Sequence, residues 1–117
     1  IRQLTHDHSL VAHLVERGQI TAEEARVDPR RNVVTRSVGV SPEVEVDAEI
    51  LPDLLVPGDT ILICSDGLHG LVTDEELTQL VSNQDLDESA RDLIELANQR
   101  GGHDNITAIQ ARIQDDE

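Results

Sequence analysis

Two short segments of the chain combine an acidic side chain with glycine at the boundary of an apolar run. Residues 65–67 read Ser-Asp-Gly and follow the apolar residues 61–64, while residues 101–105 read Gly-Gly-His-Asp-Asn and precede a second apolar run. Either segment alone is more typical of a turn, because Asp-Gly and Asp-Asn are common turn dipeptides. Carboxylates at strand ends, next to a glycine that lets a backbone or an ion approach, suit hard divalent cations such as Mg²⁺ and Mn²⁺. Asp66 and Asp104 are therefore candidate metal ligands.

Apolar patterns predict the strands that position these segments. Residues 60–65 are almost uniformly apolar, which predicts a central strand with both faces covered. Residues 33–38 predict another strand, and residues 43–50 alternate strictly between apolar and acidic side chains, as in a half-exposed antiparallel strand. The last strand is predicted at about 105–114. Its apolar residues change phase, so we expect a bulge near 108–109.

Periodicity and end signals predict four helices. The first covers about 8–17 and stops at Gly18. Residues 21–24 and residues 73–76 are capping boxes that start the second and third helices. The fourth helix carries an apolar face from 86 to 97. The order of helices, three strands, two helices and a strand predicts an α+β fold with a mainly antiparallel sheet.

Composition narrows the function classes. The formal net charge is −15, from 24 acidic residues against nine arginines, so nucleic acid is an unsuitable partner. The chain has no Phe, Tyr, Trp or Met, and any core must be aliphatic. Cys64 is the single cysteine, so an internal disulfide is excluded, which fits a reducing, cytoplasmic location. Its place in an apolar run predicts a packed thiol. No apolar stretch is long enough to predict a membrane segment.

Four segments together resemble the PPM-type (type 2C) serine/threonine protein phosphatases of bacteria. Residues 61–77, ILICSDGLHGLVTDEEL, resemble the strand, SDGL motif and following helix of that family. Residues 101–113, GGHDNITAIQARI, resemble its closing G-G-x-D-N-[IV]-T strand. Residues 4–25 are similar to its T-x-DHS helix, and residues 28–39 to a flap that ends in R-x-x-G. The motifs occur in the family's order over roughly 4–114, which makes the resemblance specific.

The resemblance implies a fold that this chain does not complete. It implies part of a four-layer α-β-β-α sandwich, with residues 1–117 as the C-terminal portion of one domain and a flap-like segment around 18–40. The bridging aspartate, the G-D-S-R motif and the phosphate-binding arginine of the family lie in its N-terminal half, and none of these motifs occurs here. We therefore expect the fragment to be inactive alone and to expose apolar strand faces.

The resemblance also implies a site. Asp66 and Asp104 would hold one ion of a binuclear Mg²⁺ or Mn²⁺ centre, with a third, weaker ion near Asp66 in bacterial members. Gly67 and Asn105 would support this site without ligating. A metal-activated water would then attack phosphoserine or phosphothreonine in line, with no covalent enzyme intermediate.

Polar residues of the flap are candidates for substrate contact. These are Arg30, Arg31, Asn32 and Arg36. The structural alternative for the arginines is pairing with the many carboxylates of the chain. Asp28 stands where many members of the family have histidine before the proline.

The histidines give little support for a second site. His6 and His8 are two residues apart and His13 follows five residues later, so the three do not share one helical face. His69 is predicted to be a solvated loop residue. A histidine-based metal site is thus not expected from the spacing.

Three interpretations of function stay open. The leading one is a metal-dependent phosphatase that acts on phosphorylated proteins and opposes a cognate serine/threonine kinase. The second is a non-catalytic regulatory or interaction module that keeps the fold. The third, a haloacid dehalogenase-type phosphatase, needs a βαβ core, which the antiparallel interpretation of residues 33–65 does not provide.

Overall fold

The chain folds as a mixture of helices and a small antiparallel sheet, which confirms the predicted α+β class. The computed structural model describes residues 1–51, 55–82 and 85–116. Two compact units are present, one formed by residues 2–50 and the other by residues 51–117 together with Ile1. In chain order the elements are α1 (Leu10–Glu16), α2 (Ala22–Val27), β1 (Thr60–Cys64), α3 (Asp66–His69), α4 (Asp74–Ser82), α5 (Leu86–Gln99) and β2 (Ala108–Arg112). Among the described residues, no helix has both the length and the apolar character that a membrane crossing requires.

Local end signals fix α1. Ser9 caps the helix, because its hydroxyl oxygen accepts a hydrogen bond from the backbone N–H of Ala12 at 3.2 Å. At the other end Gly18 has a φ of 70°, a left-handed conformation that glycine adopts readily, and its N–H donates to the carbonyl of Val15. The predicted helix and its stop at Gly18 are confirmed.

A complete capping box starts α2, as predicted. The N–H of Thr21 donates to the Glu24 carboxylate at 2.9 Å, and the N–H of Glu24 donates to the Thr21 hydroxyl at 3.1 Å. The helix ends at Val27, and the backbone of the next residue, Asp28, is extended because Pro29 follows.

Two predicted strands of the unit 2–50 are wrong. In place of the strand at 33–38 there is a single antiparallel bridge between Ser9 and Val34. Residues 43–50 form no strand, and Ile50 is 97% exposed. The alternating pattern is compatible with a strand, but a strand also needs a neighbouring one, and within the described residues none pairs with this segment.

The unit 51–117 contains the sheet. β1 and β2 pair antiparallel in an unbroken register from Thr60 opposite Arg112 to Cys64 opposite Ala108. The bulge predicted near 108–109 is therefore wrong. The phase change in the sequence instead marks the point where the chain enters β2, because Ile106 precedes the strand.

One face of the sheet packs against the helices. Leu62 and Cys64 lie against a cluster of buried side chains, and the predicted packing of the Cys64 thiol is confirmed. Ser89 is fully buried and exchanges hydrogen bonds with the Gln110 amide at 3.1 and 3.0 Å, so its hydroxyl is satisfied. The buried apolar cluster consists of Leu68, Val72, Leu77, Leu93 and Ala97.

The other face of the sheet is open. Ile63 and Ile109 lie opposite each other in the register and are 63% and 58% exposed. The prediction that both faces of the strand at 60–65 are covered is thus wrong for this chain alone. The expectation that the chain exposes an apolar strand face is confirmed.

An ion pair fastens α5 to the start of α4. The guanidinium of Arg100 donates to both oxygens of the Glu76 carboxylate, and also to the carbonyl of Leu71 at 2.8 Å. Glu76 in turn accepts the N–H of Thr73 at 2.9 Å and so completes the predicted capping box. The hydrogen bonds from Arg100 are the main reason why the pKa of Glu76 falls to about 2.

We expect Arg100→Gln to reduce stability near neutral pH and to lose this effect in acid. A carboxyl whose pKa is lowered by folding contributes stability above its unfolded pKa, near 4.5, and loses it as the pH falls towards 2. Urea unfolding of parent and variant at pH 7 and pH 3 measures the difference in free energy of unfolding, which should shrink in acid. Arg91→Gln on the exposed part of α5 is the control and should show no such trend. A difference that stays constant with pH would contradict the role of Glu76.

Candidate metal centre

The end of β1 places the first aspartate segment. The strand stops at Cys64, and Asp66 begins α3, a single helical turn that ends at His69. Leu68 is fully buried and anchors this turn in the core, whereas Asp66 is exposed. The loop predicted at His69 is wrong, because the turn that contains His69 is helical. Four residues are too few to show a helical period.

Ser65 joins the two aspartate segments directly. Its N–H donates to the carbonyl of Thr107 at 3.0 Å, and its hydroxyl accepts from the N–H of Thr107 at 3.0 Å. The same hydroxyl donates to the carbonyl of Asn105 at 3.1 Å. Asp66 directly follows Ser65 in the chain, and Asp104 directly precedes Asn105. The structure therefore brings the two segments together, as a shared metal site requires.

Gly67 is where the segments approach most closely. A Cβ at this position would lie 2.1 Å from the carbonyl oxygen of Asn105 and 3.0 Å from its carbonyl carbon. No side chain fits in such a space. The glycine is needed for this contact and not for an unusual φ, since its φ is not positive.

Asp104 follows the turn that ends α5. Gly101 and Gly102 have φ values of 126° and 53°, which side-chain-bearing residues rarely adopt, so this turn depends on both glycines. One carboxylate oxygen of Asp104 accepts the N–H of Asn105 at 2.7 Å, which orients the side chain. Both residues are exposed. The described hydrogen bond that links Asn105 to the β1 end uses its backbone carbonyl, not its amide side chain.

The donors at this edge of the sheet match a hard cation. Asp66 and Asp104 offer carboxylate oxygens on exposed positions, which are the ligands that Mg²⁺ and Mn²⁺ prefer. The neighbouring Cys64 thiol packs against the buried core, and this burial raises its pKa. The residues present thus fit a magnesium or manganese ion.

The flap arginine Arg30 is paired within its own segment. Its guanidinium binds the Asp28 carboxylate at 3.0 and 3.1 Å, and its N–H donates to the same carboxylate at 2.8 Å. The side-chain hydrogen bond from Arg30 lowers the pKa of Asp28 to about 2. Arg31 donates to the backbone carbonyl of Asp28 at 3.2 Å, while the side chain of Asn32 is exposed.

Arg36 is also engaged with carboxylates. It contacts Asp47 and Glu45, each at 3.0 Å. The hydrogen bond from Arg36 to Asp47, with a further one from His8, holds the pKa of Asp47 below its usual range. The described contacts of Arg30 and Arg36 match the alternative interpretation, in which these arginines pair with carboxylates of the chain. Contact with a substrate stays a prediction for all four flap residues.

The chain resembles known serine/threonine phosphatases over nearly its whole length. No protein-family model matches it. It is 44% identical over 110 residues to the serine/threonine phosphatase stp of Listeria monocytogenes, a match that covers 93% of this chain and 43% of the relative. The chain thus spans less than half the length of this relative.

Solved structures agree with this relationship. The serine/threonine phosphatase Stp1 of Staphylococcus aureus superposes with a TM-score of 0.87 at 38% identity, covering 97% of this chain and 44% of that structure. The catalytic domain of the serine/threonine protein phosphatase PstP, in complex with two manganese ions, superposes with a TM-score of 0.74 at 36% identity, covering 97% and 45%. Sequence and fold together match the C-terminal part of a PPM-type, or type 2C, serine/threonine phosphatase domain.

Proposed function

We propose that this chain is the part of a protein serine/threonine phosphatase that supplies Asp66 and Asp104 to a binuclear manganese or magnesium centre. The observation that carries the proposal is the set of hydrogen bonds from Ser65 to Asn105 and Thr107. These bonds hold the two aspartate segments side by side, although the segments are about 40 residues apart in the sequence.

The roles of the residues follow from their positions. Asp66 and Asp104 supply negative charge at the exposed edge of the sheet. Gly67 keeps a side chain out of the space between the segments, and Ser65 holds their backbones at a fixed separation. When bound, the ions supply Lewis acidity, which lowers the pKa of an attacking water and offsets charge on the phosphoryl oxygens.

The whole site needs more residues than this chain provides. Two carboxylates are fewer than a binuclear centre requires, and the family motifs that supply the others are absent here. The open sheet face at Ile63 and Ile109 is the surface on which the remaining half of a sandwich would pack. We therefore expect catalysis only from the complete protein.

Substrate and setting follow from the same proposal. The substrates are proteins phosphorylated on serine or threonine, including a cognate kinase, and the location is the cytoplasm. Arg30, Arg31, Asn32 and Arg36 are the proposed contacts with the phosphoprotein. The comparisons do not favour the alternative of a non-catalytic module, because the relatives described above are named phosphatases.

Metal removal tests the proposal. The complete protein should release phosphate from a phosphothreonine peptide, lose this activity in EDTA, and regain it with Mn²⁺ or Mg²⁺ but not with Ca²⁺. The 117-residue chain by itself should be inactive in the same assay. p-Nitrophenyl phosphate, which lacks peptide contacts, should be hydrolysed with a higher KM. Turnover that persists after complete metal removal would contradict the proposed chemistry.

A further inference from the structure

Three side chains from distant parts of the unit 2–50 converge outside the site described above. They are His6 and His8, which precede α1, and Asp47, which lies about 40 residues later. One potential ligand atom from each lies within 4.8 Å of the other two. His8 Nε2 is 2.7 Å from the Asp47 carboxylate, and the two imidazole rings have centroids 5.2 Å apart. This cluster involves neither Asp66 nor Asp104.

Charged side chains surround the cluster. Arg36 binds one oxygen of Asp47 at 3.0 Å, which leaves the other oxygen on the side of His8. The Glu16 carboxylate contacts His6 Nε2 and is a further oxygen donor beside the cluster. The group lines an open cavity of about 500 Å³, in which the carboxylates of Glu45, Asp47 and Glu49 outnumber the single guanidinium of Arg36. A cation can reach this place from solvent and is attracted to it.

The distances are compatible with one bound ion. Ligand atoms about 2.0–2.1 Å from a tetrahedral zinc ion lie roughly 3.3 Å from one another. His8 Nε2 and the Asp47 oxygen are 2.7 Å apart, and the three ligand atoms all lie within 4.8 Å of one another. Side-chain shifts on the order of 1 Å would therefore bring all three donors to bonding distance.

The donor types select the kind of ion. Two imidazoles and a carboxylate suit Zn²⁺ and similar borderline cations, whereas Mg²⁺ prefers sites built from oxygen alone. We propose that His6, His8 and Asp47 form a second metal site, specific for a zinc-type divalent ion and built from other residues than the manganese or magnesium centre. The ion would tie Asp47 to the start of the chain. Residues 43–50 have no strand partner among the described residues, so such a tie would add to the side-chain contacts that Arg36 and His8 make with this segment.

Metal titration of the untagged 117-residue chain tests this site. Isothermal titration with Zn²⁺ should show one ion bound per chain at the cluster, and Co²⁺ should give the visible absorption of a tetrahedral site with nitrogen ligands. His6→Ala and Asp47→Asn should each weaken binding by at least about tenfold. Zn²⁺ should also raise the thermal unfolding midpoint of the parent, and should do so less in these variants.

Two further variants serve as controls. His13→Ala removes a histidine that lines the same cavity but does not belong to the cluster, so it should keep the affinity of the parent. Asp66→Asn should also keep it, since Asp66 belongs to the other proposed centre. The proposal is overturned if Zn²⁺ does not bind, if the cluster variants bind as well as the parent, or if Asp66→Asn abolishes binding. In that case the contacts of His8 with Asp47 and of His6 with Glu16 are hydrogen bonds only.

Discussion

Replacing Asp66 by asparagine is expected to lower the metal-dependent turnover of the complete protein by roughly 10³-fold, which corresponds to about 4 kcal/mol of lost transition-state stabilisation. Asparagine has nearly the shape of aspartate but carries no charge, and a neutral amide oxygen is a much weaker ligand for a hard divalent ion. Asp104→Asn should have an effect of the same order. Phosphate release from a phosphothreonine peptide at saturating Mn²⁺ measures both.

Folding must be separated from chemistry in this experiment. Asp66 is exposed, and its side chain makes none of the hydrogen bonds that join the two segments, so we expect Asp66→Asn to change the free energy of unfolding by less than about 0.5 kcal/mol. Asp115→Asn makes the same charge change at an exposed position after β2 and should leave turnover unchanged. Normal metal-dependent activity in Asp66→Asn would show that Asp66 is not a ligand of the metal centre.

Features that depend on neighbouring residues could be predicted from the sequence. Both capping boxes form where the pattern of threonine and glutamate placed them, at Thr21 and at Thr73. Gly18 ends α1, and the helices α4 and α5 follow their apolar faces. The signals for these elements lie within a few residues of one another, so no knowledge of the rest of the fold is needed.

Features that depend on distant residues could not be predicted in the same way. The alternation at 43–50 is typical of a strand. A strand also needs a paired neighbour, and the sequence of this segment does not show whether one is present. The apolar run of β1 predicted two covered faces, and the structure shows Ile63 exposed on one of them. Both errors have one cause, because a pattern gives the character of a face but not what lies against it.

The residues of the candidate site also differ in whether neighbouring or distant residues reveal them. Asp66, Gly67, Asp104 and Asn105 followed from short motifs, whereas the role of Ser65 became visible only through its hydrogen bonds to a segment about 40 residues away. The histidine cluster was missed for a related reason. Helical spacing would keep the histidines apart, but His6 and His8 precede α1 and lie near a carboxylate from a distant part of the chain.

Gly67→Ala is expected to be the most damaging single change for the contact between the aspartate segments. The added Cβ would lie 2.1 Å from the Asn105 carbonyl oxygen, so that oxygen must move by about 1 Å or more. It cannot move freely, because it accepts the hydrogen bond from the Ser65 hydroxyl. We expect a loss of about 3 kcal/mol in the free energy of unfolding, measured by urea denaturation.

A control glycine separates this steric effect from backbone strain. Gly58 lies in the same unit and has a φ of 94°, but among the described residues, its two chain neighbours aside, no atom lies within 4 Å of the Cβ that alanine would add. Gly58→Ala should therefore reduce stability through backbone strain alone and leave the affinity of the complete protein for Mn²⁺ unchanged. Gly67→Ala should reduce both, because separating the two backbones also separates Asp66 from Asp104. If Gly67→Ala instead retained both properties of the parent, the close approach to Asn105 would not exist in solution.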